Sequence, residues 1–212
     1  MSNRVSNRPL RVAVSQRVDY LFDRDEFRDS LDTRLINWLQ EIDTLPFPVP
    51  NNLLSHETMR IWIDILSPQA VVLSGGNDLG EFTERDRTEE FLLWYAAVEG
   101  LPVLGICRGM QMLVQHEGGT LERISGHVGI AHALIAVQGE KLPDRVNCYH
   151  AWTPEACPIN YEVIGESTDG CIEAIRHTSR NWEGWMWHPE RDSIFDPVAQ
   201  ARARQLLAGD LL

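Results

Sequence analysis

The chain has 212 residues, 43% of them hydrophobic, which suits one domain with a sizeable core. Its formal net charge of −12 argues against nucleic acid as a partner, because phosphate binding calls for a basic face. The opening residues Met1 to Arg11 are polar and no run is long enough to cross a bilayer, so a cytoplasmic protein with no membrane partner is expected. Cys107, Cys148, Cys157 and Cys171 form no CxxC pair, so reduced thiols are a simpler reading than a zinc knuckle or a redox dithiol.

Leu10 to Ser15 reads as a first strand. Asp29 to Ile42 carries Leu31, Leu35, Trp38, Leu39 and Ile42 at helical spacing. Leu45 to Val49 is interrupted by prolines, which predicts a short extended segment near a sheet edge. His56 to Leu66 is a second helix. Ala70 to Leu73 is a continuous apolar run that meets Ser74-Gly75-Gly76, as a buried parallel strand meets a turn. A third helix is predicted over about Thr88 to Val98, with Phe91, Leu92, Trp94, Tyr95 and Val98 inward and Gly100 as its stop. The charged run Glu81 to Glu90 reads as a solvated helix start. Pro102 to Ile106 is the next buried strand, followed by a helix after Cys107. Beyond Gly119, Ile130 to Val137, Arg145 to Trp152, Tyr161 to Gly165 and Cys171 to His177 read as strands. Asp196-Pro197 caps a last helix to about Leu207. Alternating strands and helices in the first half imply a parallel sheet. Ligands bind beyond the carboxyl ends of such strands, where both Ser74-Gly75-Gly76 and Cys107 fall.

Cys107 has the setting of a presented nucleophile. A strand delivers it to a tight turn, and the next helix aims its free amides and positive end at the sulfur, which favours thiolate. A cysteine nucleophile needs a base, and the base an orienting partner. Trp187-His188-Pro189-Glu190 supplies both: an extended backbone would put His188 and Glu190 on one face, leaving one ring nitrogen for Cys107. Acyl chemistry also needs oxyanion donors. The amides of Gly75 and Gly76 can approach a ligand closely, and that of Arg108 can be the second donor. Taken singly, each segment also fits a plain structural role.

In this order, Ser-Gly-Gly after a strand, Gly-Ile-Cys-Arg-Gly-Met-Gln and Trp-His-Pro-Glu resemble the class I glutamine amidotransferase-like family over roughly residues 10 to 208. The resemblance implies an α/β, flavodoxin-like three-layer sandwich with a mostly parallel central sheet. It implies catalytic Cys107, His188 and Glu190, an oxyanion hole at Gly76 and Arg108, and Gln111 on the glutamyl half of the substrate. Neither metal nor organic cofactor is expected. Arg-Gly after the cysteine resembles the stand-alone γ-glutamyl hydrolases, including γ-glutamyl-γ-aminobutyrate hydrolase. Val146-Asn147-Cys148-Tyr149-His150 resembles a pocket-bordering Asn-Ser-x-His stretch of that branch, so Asn147, Tyr149 and His150 join Gln111 and the turn residue Gly75 as substrate-binding candidates. The chain departs from the branch at Ala151-Trp152, where His-Gln is common, and it is short. Ser15-Gln16-Arg17 and the run Leu73 to Leu79 look more like small bacterial hydrolases that remove glutamate from a γ-glutamyl-linked nucleotide amidate.

The implied partner is a small γ-glutamyl substrate. A glutaminase subunit feeding ammonia to a partner synthase is the alternative, and a homodimer is left open. A silent regulatory module is disfavoured by the intact Cys107, His188 and Glu190. His127, His132 and His150 lack compact ligand spacing and an obvious carboxylate set, so they read as pocket lining or backbone-bonded rather than as a metal site. Asn77 and Asp78 read as turn chemistry, the Arg108 side chain as structural, and Trp182, Trp185 and Trp187 as core and pocket wall.

Overall fold

The computed structural model describes residues 8–53, 55–137 and 139–211. Residues 1–7, most of the polar start, lie outside this set. The strands are β1 (Leu10–Ser15), β2 (Arg17–Leu21), β3 (Glu26–Ser30), β4 (Thr44–Val49), β5 (Ala70–Leu73), β6 (Val103–Ile106), β7 (Leu121–Arg123), β8 (Val128–Ala136), β9 (Arg145–Tyr149), β10 (Trp152–Pro154), β11 (Tyr161–Ser167), β12 (Ile172–His177) and β13 (Trp182–Trp185). The helices are α1 (Thr33–Glu41), α2 (His56–Leu66), α3 (Thr83–Glu99), α4 (Arg108–His116) and α5 (Pro197–Ala208).

Nine strands form one mixed sheet in the order β4-β1-β5-β6-β13-β12-β11-β8-β9. From β4 to β13 neighbours run parallel, and from β13 to β9 antiparallel. Side chains alternate across the pleat. Val12, Val14, Val72, Leu104 and Ile106 therefore face Leu35, Trp38 and Leu39 of α1 and Ala203 and Leu206 of α5. Ala13, Val71, Leu73 and Val103 face α2, α3 and α4 through Met59, Ile63, Phe91, Leu92, Met110 and Leu113. This is the three-layer α/β sandwich the resemblance implies. Among the described residues no helix is long and apolar enough to cross a membrane.

Several boundaries differ from expectation for local reasons. Asp29 and Ser30 belong to a β2–β3 hairpin, and α1 starts only at Thr33 because the Asp32 carboxylate caps it through the Arg34 amide at 2.9 Å. Helix α3 begins at Thr83, five residues before the predicted start. Trp94 and Val98, expected inward, are 45% and 58% exposed. The segment 145–152 breaks at His150, whose amide donates to His127 O (3.0 Å), so Trp152 pairs with β7 instead. Strand β13, unforeseen, fills the gap between β6 and β12 and leads directly into His188.

Candidate active site

The turn at Cys107 is built by close backbone packing. Cys107 lies between β6 and α4 with φ 52° and ψ −104°, a conformation costing a non-glycine residue about 1–3 kcal/mol. A Cβ on Gly109 would lie 2.2 Å from Leu73 O, and one on Gly105 2.6 Å from the Gly109 carbonyl. Glycine at both positions lets α4 close tightly onto β5 and β6. The Cys107 amide donates to Trp185 O (2.7 Å), and its carbonyl accepts from the Gln111 amide (3.1 Å). The Arg108 amide, at the first position of α4, has no acceptor within the helix.

His188 and Cys107 line the same cleft. His188 Nδ1 bonds Glu190 Oε1 at 2.7 Å, which leaves Nε2 as the nitrogen available to the sulfur. Burial pushes the imidazole pKa down, but the attraction of Cys107 and Glu190 outweighs it and holds the group up at about 9. The backbone route differs from the one expected. Pro189–Arg191 is a 3-10 turn, not an extended segment, closed by the Arg191 amide on His188 O at 3.0 Å. The turn folds Glu190 back under the ring, which a straight strand would not do.

Asn147, expected on the substrate, has its amide group engaged elsewhere. Its Nδ2 donates to His188 O (2.7 Å) and Asp192 Oδ1 (2.9 Å), and its Oδ1 accepts from the His188 amide (3.0 Å). It clamps the backbone of His188. Gly75 lies not in the main cleft but beside the imidazole, in a small space shared with Leu35 and Glu190. Gly76, Cys107, Arg108, Gln111, Tyr149, His150 and His188 do line one cleft of about 370 Å3, together with Arg17, Asp78, Trp152 and Arg191. Gln111 Nε2 donates to Trp152 O at 3.3 Å, and the Tyr149 ring meets His188 edge-on at 6.0 Å.

The charged run 81–90 is the main correction. Arg85 and Glu89 are fully buried. Arg85 Nη2 donates to Ser74 O (2.7 Å) and Gly75 O (3.1 Å), and Nη1 to Gly76 O and to Asn77 Oδ1 (3.1 Å). One guanidinium thus gathers three successive carbonyls of the glycine turn, where Gly76 adopts φ 86°. Burial lowers the Arg85 pKa to about 10, but the group stays charged at neutral pH. Glu89 accepts from Arg85 (3.1 Å), Ser15 Oγ (2.8 Å) and Arg108, which also pairs Asp86. The Arg108 side chain is therefore structural, as expected, and so is Asn77, which pairs with the Val18 backbone at 2.8 and 3.0 Å. The missed signal is the i, i+4 spacing of Arg85 and Glu89, which reads the same on a solvated face.

The histidines set aside as a metal site do come together, behind the cleft wall that His150 helps to form. His127, Cys148 and His150 meet the buried carboxylate of Glu173, delivered by β12. The carboxylate absent from their sequence neighbourhood is supplied by the fold.

The chain matches the family described as glutamine amidotransferase class-I over residues 25–194. It is 31% identical over 131 residues to the gamma-glutamyl-CDP-amidate hydrolase of Campylobacter jejuni, covering 59% of this chain and 64% of that one. It is 30% identical over 151 residues to a glutamine-hydrolyzing GMP synthase subunit of Methanothrix thermoacetophila, covering 67% and 76%. Against the GMP synthase of Thermosynechococcus vestitus it is 30% identical over 148 residues but spans only 27% of that protein. The fold is similar to a solved structure described as a GMP synthase subunit protein from Thermoplasma acidophilum, with TM-score 0.70, 19% identity and coverage of 94% and 93%. A match to one family model over most of its length, together with this fold, means that the chain belongs to the class I glutamine amidotransferase family.

Proposed function

We propose that this protein is a cysteine hydrolase that cleaves a γ-glutamyl amide through a glutamyl thioester. One observation carries this: His188, hydrogen-bonded to Glu190, lines one cleft with Cys107, Gly76 and the start of α4. In the proposed reaction the Cys107 thiolate adds to the γ-carbonyl carbon. The amides of Gly76 and Arg108 hold the oxyanion, each donor of this kind being worth about 3 kcal/mol of barrier. The C–N bond breaks as protonated His188 gives its proton to the departing nitrogen. Water then adds to the thioester carbonyl, giving a proton to His188. The C–S bond breaks, and glutamate leaves.

Arg191 lines the cleft, and its Nε is buried without a hydrogen-bond partner among the described residues. This favours an anionic leaving half. The first candidate is γ-glutamyl-CDP-amidate, in keeping with the name of the Campylobacter relative. The second is γ-glutamyl-γ-aminobutyrate. A glutaminase role is the other reading, favoured by the GMP synthase relatives. It predicts ammonia release from glutamine that rises when a synthase is added.

The test is glutamate release from both γ-glutamyl candidates and from glutamine, with mass analysis of Cys107. Turnover of a γ-glutamyl compound, a glutamyl adduct on Cys107, and their loss in Cys107→Ala are expected. A folded Cys107→Ala variant that still turns over refutes the proposal.

A further inference from the structure

A second cluster of reactive side chains lies between β8, β9 and β12. Glu173 is fully buried, and among the described residues neither of its oxygens has a hydrogen-bond partner. Three imidazole nitrogens converge on its Oε1: His132 Nε2 at 3.2 Å, His127 Nδ1 at 3.4 Å and His150 Nε2 at 3.4 Å. Cys148 Sγ is 3.3 Å from His127 Nδ1. His127, Cys148, His150 and Glu173 are all buried, with ligand atoms within 4.8 Å of one another.

The other nitrogen of each ring tells what faces inward. His132 Nδ1 lies 3.0 Å from Ala133 O, His150 Nδ1 3.0 Å from Trp152 O, and His127 Nε2 2.9 Å from Asp169 Oδ2. Each of these partners accepts hydrogen bonds, so each ring carries its proton on the outer nitrogen. The inner nitrogens of neutral rings are then bare lone pairs, pointed at a carboxylate oxygen that is itself a lone-pair donor. His127 Nδ1 is met by Cys148 Sγ, and the rest of the arrangement is repulsive unless a proton or a metal cation sits among the atoms. Imidazoles anchored through the far nitrogen by a carbonyl or carboxylate are the usual outer support of a metal site.

The spacing fits as well. Ligand atoms on a tetrahedral zinc with arms of about 2.0–2.1 Å stand about 3.3 Å apart; His127 and His150 each stand 3.4 Å from Glu173 Oε1, and Cys148 Sγ stands 3.3 Å from His127 Nδ1. The charge also balances: one carboxylate, one thiolate and two neutral imidazoles neutralise a divalent ion in a buried place.

We propose that His127, Cys148, His150 and Glu173, with His132 at the same carboxylate oxygen, bind one divalent transition-metal ion of the zinc class. Binding converts the Cys148 thiol to thiolate and releases its proton to solvent. The ion would tie the β8–β9 hairpin to β12. That hairpin carries Asn147 and Tyr149, so the metal would brace the clamp on His188 without touching the reacting atoms. Of the proposed ligands only His150 also lines the cleft, and none is a reacting group of the proposed hydrolysis.

Cobalt(II) titration of the metal-stripped chain, with metal analysis of the untreated chain, tests it. Expected is one equivalent of metal per chain and a tetrahedral cobalt spectrum with a thiolate-to-cobalt band. Cys148→Ser should lose that band, and Glu173→Gln should weaken binding at least tenfold. Cys107→Ala should leave the spectrum unchanged. Failure of the folded, unsubstituted chain to take up stoichiometric metal overturns the proposal. So does a spectrum abolished by Cys107→Ala, because the ion would then sit on the nucleophile.

Discussion

Gly75→Ala is the sharpest test of how the imidazole is held. An added Cβ would lie 2.4 Å from His188 Cε1 and 3.3 Å from both ring nitrogens. Ordinary contact begins at 3.4 Å, so the ring must retreat by about 1 Å, a misplacement able to cost about 100-fold in rate, or about 2.7 kcal/mol of barrier. Gly75 does not have positive φ, so alanine fits the backbone there and the fold should persist. The expected result is a kcat about 100-fold lower for the γ-glutamyl substrate, with the thermal midpoint little changed. Slower alkylation of Cys107 should accompany it, since in the proposed mechanism the displaced imidazole serves the sulfur. A Gly75→Ala enzyme with unaltered kcat and alkylation rate would refute the positioning of His188 described above.

Asn147→Ala removes both backbone bonds to His188, each worth about 1 kcal/mol. It should lower kcat about tenfold with little change in KM; a rise in KM alone would return Asn147 to the substrate. Arg85→Met strips three carbonyls of their donor and leaves Glu89 short of a partner. It should cost about 3–5 kcal/mol of stability, read by urea unfolding, and a loss under 1 kcal/mol would show that the guanidinium is not the brace of the glycine turn. The raised pKa of His188 has a definite sign in stability. Its contribution is whole below the ordinary value of 6.5 and is lost as pH rises through about 9. Urea unfolding of the unsubstituted chain should therefore fall off between those pH values more steeply than that of His188→Gln, and equal slopes would contradict the imidazole's raised pKa.

The residues of the central sheet could be read because their patterns are local. Strands β1 and β5 and helix α2 have the predicted bounds, since apolar runs and helical spacing need no distant partner to be recognised. That Cys107 and His188 line one cleft could be anticipated for a different reason: the order of their segments along the chain resembles a known family. What the sequence could not convey is which charges turn inward. Arg85 and Glu89 sit in a polar run, and only the packing of α3 against the glycine turn shows the carbonyls they serve. Asn147 likewise changes role because β9 lies beside the 3-10 turn, where its amide finds the His188 backbone before it finds solvent. Glu173 lies more than twenty residues along the chain from each histidine it meets. Pairing of β8 with β9, and the burial of β12, bring it to them. Local pattern determines which residues are strand, helix and turn, whereas the partners of buried polar groups are set by long-range contacts that no single segment encodes.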